Sequence, residues 1–181
     1  MPLSHLKVLD LTRARLGGGF PLQPKPTDLR EVCRIVVGEF EAPIQMDVEG
    51  DVTGTWDSDR LEEALSNIVG NAVEHAAPGT AVAVKVHASG EKVIVDISNH
   101  GDPIPPEVLP FIFEPFRRAD QHVRSARENL GLGLYIAHQI VLSHGGTLDA
   151  YSRSGMTTFV MRLPRDHYTD RPGEASSARH P

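Results

Sequence analysis

The chain has 181 residues, 40% hydrophobic and 23% charged, a balance that suits one compact domain with a substantial core. A formal charge of −6 leaves no broad basic surface to neutralise a nucleic-acid backbone or coat an anionic membrane, although a small anionic ligand is compatible with it. The single cysteine, Cys33, excludes an internal disulfide framework and a cysteine-rich metal cluster, and reads as a small buried residue in a reducing compartment.

In chain order, Leu3, Leu6, Leu9 and Leu16 keep a roughly helical spacing until Gly17-Gly18-Gly19 interrupts it, which predicts the end of a helix. A proline-bearing linker is expected over residues 21–26. Asp28 and Glu31 then suggest a capping box for a helix whose apolar stripe is Leu29, Val32, Cys33, Val36 and Val37, ending near Phe40. Residues 45–48 read as a short strand and residues 50–55 as a turn, after which Ser58 is placed to cap a second helix. Leu61, Leu65, Ile68, Ala72 and Val73 carry that helix to about Glu74, and Pro78-Gly79 ends it. Residues 81–88 and 92–98 alternate as two strands joined at Ser89-Gly90-Glu91, a hairpin signature. Residues 103–115 are broken by proline, residues 116–129 are polar and basic, and residues 131–143 return to helical spacing before Gly145-Gly146. Strands are expected over 147–151 and 157–163, and residues 166–181 have the composition of a disordered tail. Hairpins without βαβ alternation predict an α+β fold with helices on one face of a mixed, mostly antiparallel sheet. No segment reaches the ~18 consecutive apolar residues of a membrane span, and no basic-then-apolar leader opens the chain, so a cytoplasmic location is expected.

Several familiar sites are missing from the sequence, namely G-x-x-x-x-G-K-[ST], G-x-G-x-x-G opening a helix, H-E-x-x-H and G-x-S-x-G. The nine histidines are scattered without convincing ligand spacing, which argues against a metal held by protein alone. On the second helix, Asn67, Asn71, Glu74 and His75 fall within about 100° of one another, opposite the apolar stripe. Such a face is either simply solvated or offers one amide-oxygen contact to Mg²⁺, sufficient where nucleotide phosphates and waters complete the octahedron. Asn99-His100-Gly101-Asp102-Pro103-Ile104-Pro105 leaves a strand through a glycine turn that lets backbone approach a planar ligand. Phe113-Glu114-Pro115-Phe116 leads to Arg117 and Arg118, whose guanidinium forks suit phosphate. Gly131-Leu132-Gly133-Leu134 opens a helix, where free N–H groups and the helix dipole receive anions.

In this order and spacing the four segments resemble the catalytic ATP-binding domain of sensor histidine kinases, within the GHKL ATPases, over about residues 28–164. Asn67-Ile68-Val69-Gly70-Asn71-Ala72 is similar to the family's N box, with the first glycine box, F box and second glycine box following. His144-Gly145-Gly146, Ser152 and Thr157-Thr158-Phe159 resemble its closing strands. The resemblance implies a two-layer sandwich, the Bergerat-type ATP-binding fold, with a mixed five-stranded sheet and three helices, and ATP between the helical layer and a lid over residues 116–129. It implies ATP and Mg²⁺ as ligands, Asn71 as the Mg²⁺ ligand, and Arg118 as a phosphate-facing catalytic arginine. Asn67, His75, Asn99, Gly101, Ile104, Phe116, Gly131, Leu132, Gly133, Leu134 and Thr158 complete the implied binding set, with Phe113 and Phe116 anchoring the lid.

The departures from that pattern are chemical. Asn99 stands where an aspartate usually accepts a hydrogen bond from the adenine amine, which costs about 1 kcal/mol of charge assistance. Pro103 replaces a glycine, Asn129 replaces another at a position asparagine tolerates, and Glu74 replaces a basic residue, so its carboxylate is expected to turn aside from phosphate. No histidine is followed by an acidic residue and Arg-x-Pro; His5 is followed by Leu6 and Lys7. The phosphoacceptor histidine is therefore expected on a dimerisation domain of a longer parent chain or a separate partner, with a response regulator downstream. The implied organisation is a dimerisation-helix remnant and linker over 1–26, the ATP-binding domain over 27–165 and the tail over 166–181. Two other readings are a degenerate, non-catalytic docking module and a GHKL protein-serine kinase or anti-sigma factor.

Overall fold

A computed structural model describes residues 21–115 and 132–166. The expected N-terminal helix, the lid segment and the tail beyond residue 166 lie outside these residues. In order, the elements are β1 (Lys25–Asp28), α1 (Leu29–Gly38), β2 (Ile44–Glu49), β3 (Thr53–Trp56), α2 (Ser58–Glu74), β4 (Val82–Ser89), β5 (Lys92–His100), a 3-10 turn (Leu109–Phe111), α3 (Gly133–Ser143), β6 (Thr147–Arg153) and β7 (Met156–Pro164).

Five strands form one sheet in the order β2-β4-β5-β7-β6. The β2–β4 pair is parallel and the other neighbours are antiparallel, as the mixed α+β expectation requires. Alternation sorts each strand's residues between two faces. Val84 and Val86 of β4, Val93, Val95 and Ile97 of β5, and Phe159, Met161 and Leu163 of β7 are buried in one core with the apolar stripes of all three helices. Cys33 belongs to that core, and burial pushes its thiol up to about 12, in keeping with a packing role.

Local chemistry explains where elements begin and end. Asp28 caps α1 by accepting from the Arg30 N–H at 2.9 Å, but Glu31 pairs with Arg34 one turn on instead of closing the expected capping box. The helix stops at Gly38, short of Phe40. Asp57, not Ser58, caps α2: its Oδ1 accepts from the Arg60 N–H at 3.1 Å, while Ser58 is the first helical residue. Gly145, at φ +69°, provides the left-handed turn that stops α3.

A second, two-stranded sheet occupies segments read as linker and turn, pairing β1 with β3. Trp56 at the end of β3 is fully buried and donates its indole N–H to the Pro164 carbonyl at 2.7 Å. Arg165 closes the same corner, donating from Nη1 to the Thr53 carbonyl at 2.6 Å and from Nη2 to the Asp51 carbonyl.

The helical layer is cross-linked by a buried imidazole. His144, 0% exposed at the end of α3, accepts the Asp57 N–H on Nε2 at 3.1 Å, and its Nδ1 lies 2.8 Å from the Ile140 carbonyl. The network assigns the Nδ1–H tautomer, since Nε2 must keep its lone pair for Asp57. Asp57 Oδ2 in turn accepts from the Gln23 N–H at 2.8 Å. The start of α2 is thereby fixed to the end of α3, so the two helices pack antiparallel and the end of α2 runs toward the start of α3. Replacing His144 by alanine opens a cavity and orphans a buried N–H, and should lower unfolding free energy by about 3 kcal/mol, measured by urea denaturation.

Candidate functional site

At the far end of the α2–α3 pair, polar side chains meet glycines. Asn67 and Asn71 stand one turn apart on α2, both partly buried. Asn67 donates from Nδ2 to the Glu63 carbonyl at 2.9 Å, which turns its Oδ1 toward the first residue of α3. A Cβ on Gly133 would lie 2.9 Å from that oxygen, so any larger residue there would have to displace the Asn67 amide from this contact. The Asn71 amide makes no hydrogen bond to any described residue, which leaves its oxygen free to act as a hard ligand. Leu132, the α3 N-cap, makes no side-chain cap hydrogen bond, so the N–H groups that open α3 at Gly133 and Leu134 are not capped by it.

The second meeting point lies at the end of β5. Asn99 is 4% exposed and donates from Nδ2 to the carbonyl of His75, the α2 C-cap, at 3.1 Å. A Cβ on Gly101 would stand 2.1 Å from that same carbonyl, so only glycine lets the chain leaving β5 pass beneath α2. Gly101 also donates its N–H to the Gly155 carbonyl at 3.0 Å, tying this loop to the β6–β7 turn. Ile104 donates its N–H to Ser152 Oγ at 2.8 Å.

The structure thus brings Asn67 against Gly133, which Leu132 and Leu134 flank in sequence, with Asn71 one turn further along α2, and it brings Asn99 and Gly101 against the His75 carbonyl, with Ile104 following in the same loop. It does not bring Thr158 to them. Thr158 lies on the opposite face of the sheet, with its Oγ1 2.9 Å from Ser98 Oγ. Its neighbour Thr157 is the inward residue, buried and paired in register with Asn99. The signal was legible, since Phe159, Met161 and Leu163 share the parity of Thr157. The side chains of His75 and Glu74 are exposed, and Glu74 lines a cleft of about 560 Å³ with Ala77, His100, Asp102 and Gly155. Phe116, Arg118 and Gly131 lie outside the described residues.

Phe113, expected at the lid's base, stacks on His138 of α3, with ring centroids 4.9 Å apart and 15° between planes. Burial holds the His138 imidazole below its ordinary value of 6.5, with the charge of Asp149 opposing the shift. A histidine whose folded pKa is depressed binds fewer protons folded than unfolded, so its contribution to stability is present above 6.5 and lost as pH falls toward the folded value. Between about pH 7 and about pH 5 the wild-type chain should therefore lose more thermal midpoint than His138→Phe, which keeps the stack without the proton.

Among the described residues no three His, Cys, Asp or Glu side chains gather as a metal site. A single amide ligand fits a cation carried in largely by phosphate and water, and Asn71 meets that description.

Comparison with known proteins agrees with this geometry. Residues 56–167 match the family of "Histidine kinase-, DNA gyrase B-, and HSP90-like ATPase" domains. A bacteriophytochrome of Pseudomonas aeruginosa is 31% identical over 163 residues, covering 87% of this chain and 22% of the relative. The sensor protein CzcS of Cupriavidus metallidurans is 36% identical over 125 residues, 68% of this chain and 26% of CzcS. The chain therefore spans about a quarter of the length of these relatives. Among solved structures, the catalytic domain of the histidine kinase ThkA superposes with a TM-score of 0.69 at 27% identity, covering 80% of this chain and 97% of that domain. The complex of ThkA with the response regulator TrrA gives a TM-score of 0.70 at 25% identity, covering 92% of this chain and 49% of that one. With four of the five strands of its main sheet, the polar face of α2 and the glycine contacts inside the matched span, the chain belongs to the histidine kinase-, gyrase B- and HSP90-like ATPases, in the form of a sensor histidine kinase catalytic domain.

Proposed function

We propose that this domain binds Mg·ATP in the cleft between α2, the start of α3 and the end of β5, and passes the γ-phosphoryl to a histidine on a dimerisation domain. The observation that carries the reading is the meeting of Asn67 with Gly133 and of Asn99 with the α2 terminus. Asn71 contributes an amide oxygen to Mg²⁺, which when bound offsets phosphate charge. The N–H groups opening α3 hold phosphate oxygens along the helix dipole. Asn99 commits its Nδ2 to the His75 carbonyl, so its Oδ1 is the atom left to accept from the adenine amine. Arg118 is proposed to face the transferring phosphoryl, with Phe116 and Gly131 flanking the nucleotide, by resemblance alone. Phosphoryl transfer needs little covalent work from such a domain; positioning and charge stabilisation supply most of the catalysis.

The acceptor histidine and the response regulator are proposed partners. CzcS is named as a sensor protein and ThkA was solved with a response regulator protein, which supports that assignment. No helix among the described residues is long and apolar enough to cross a membrane, and the site is proposed to work in the cytoplasm. A second reading, a docking module that regulates another kinase without transfer, is favoured by Glu74, which puts a carboxylate where phosphate would meet a base.

Calorimetric titration of the chain with ATP, with and without Mg²⁺, tests the first reading, which expects Mg²⁺-dependent binding. Asn71→Asp should weaken Mg·ATP binding on the order of tenfold, about 1.4 kcal/mol, by changing the ligand's charge. Unchanged affinity in that variant would remove the metal assignment, and absence of binding at about 1 mM ATP, a contribution below about 4 kcal/mol, would favour the docking module.

A further inference from the structure

β6 is an edge strand of the main sheet, and its outer side is open. It runs seven residues, Thr147–Arg153, in unbroken register with β7, and carries no bulge, proline or lysine of the kind that keeps a second strand away. Among the described residues its backbone makes no hydrogen bond beyond the pairing with β7. The nearby 3-10 turn does not seal it, because Leu109, Pro110 and Phe113 on one side and Leu148 and Ala150 on the other line a cavity of about 360 Å³.

Large exposed apolar side chains gather around this strand. Tyr151, 55% exposed, is on it; Leu142 is on the helix that leads into it; Met156 faces Arg153 from β7; and Phe111 belongs to the turn that lies against it. Ile35 is the one other large apolar side chain so exposed among the described residues. Such clustering on a small domain marks an interaction surface, and an unguarded strand edge selects a partner that is itself extended.

The charges on the strand say which partner. Asp149, Tyr151 and Arg153 alternate along the sheet face that points away from the helices, as their pairing with Val160, Thr158 and Met156 shows. Asp149 accepts from Arg162 Nη1 on Oδ2 at 2.6 Å, while its Oδ1 bonds to no described residue. Arg153 is exposed and has no ion-pair partner among the described residues. An antiparallel copy of the same strand, centred on Tyr151, sets Asp149 against Arg153 and Arg153 against Asp149, with the two Tyr151 rings side by side on the axis. The opposite edge behaves differently: on β2 the outward residues Asp47 and Glu49 are both acidic, and antiparallel self-pairing centred on Asp47 or Val48 sets carboxylate against carboxylate.

We infer that the free edge of β6 binds a second copy of this chain, β6 against β6, about a twofold axis at Tyr151 that joins the two sheets into one. Directly opposite residues of an antiparallel pair share a face, so both helical layers lie on one side of the joined sheet. The inference does not depend on what the cleft binds.

Analytical ultracentrifugation of the full chain tests it. The average mass should rise from 19.8 kDa toward twice that value with a dissociation constant between about 10 μM and about 1 mM. Arg153→Asp alone and Asp149→Arg alone should each weaken self-association by about tenfold or more, since each sets like charges across the axis, whereas an equimolar mixture of the two variants should pair as tightly as wild type. Asp149→Arg also loses the Arg162 pair, so thermal midpoints are compared first, and Tyr151→Cys gives a second measurement that spares both charges. Under mild oxidation Tyr151→Cys should cross-link to itself, because only a residue on the axis meets its own copy, while Thr147→Cys should not; Cys33 is buried and stays out of the reaction. A monomer at about 1 mM overturns the inference and leaves the edge to a strand of another protein. Self-association that Arg153→Asp does not weaken, or cross-linking of Thr147→Cys as readily as Tyr151→Cys, overturns the pairing as well.

Discussion

The hydrogen bond from the Asp57 N–H to His144 sets the geometry on which the cleft depends. Asp57 is both the cap of α2 and the donor to an imidazole at the end of α3, so the start of one helix and the end of the other are held as one unit. Two antiparallel helices fixed at one end can still splay at the other. Here the free end is closed by contact between Asn67 and Gly133, where a methyl group would push the Asn67 amide aside. Apolar packing of Leu65, Ile68, Ala137 and Ile140 supplies the adhesion between the helices, while the imidazole bridge and the glycine contact set their register.

The same division of labour governs the sheet side. Core side chains of β4, β5 and β7 hold the sheet against the helices, but the position of the loop after β5 is set by polar contacts of very short reach. Asn99 holds the His75 carbonyl, and Gly101 lets the chain pass within a distance that any side chain would block. Burying an amide at such a place is tolerable because its donors are satisfied within the protein, by the His75 and His100 carbonyls. The substitution of amide for carboxylate at this position therefore keeps an acceptor and sheds a charge that two nearby carbonyls would oppose.

How much of this was legible in sequence varied with the range of the physics involved. The long periodic run of α2, the hairpin at Gly90 and the polar face at Asn67 and Asn71 are local patterns, and all three are found where the sequence places them. The β1–β3 sheet is different. Its strands are four residues each, one carries Pro26 and the other Gly54, and they pair because Trp56 and Arg165 close a corner some hundred residues apart in the chain. No local pattern announces such pairing. The helix cap shifted by one residue because both Asp57 and Ser58 are good caps, and the linker's Gln23 N–H together with His144 selects Asp57. Thr157 and Thr158 are alike in composition, and only strand parity, counted from Phe159, separates the inward residue from the outward one.

The corner at Trp56 has an optical consequence. It is the chain's only tryptophan, it is sealed from solvent, and its indole N–H is committed to the last residue of β7. Asn71 lies fourteen helical residues beyond the Asp57 cap, roughly 20 Å along α2, so the indole sits well away from the cleft. Its emission therefore reports detachment of the final strand and opening of the core, largely independent of whether the cleft is filled. In a mixture of folded, unfolded and ligand-bound chains, that one fluorophore separates loss of the fold from occupancy of the site.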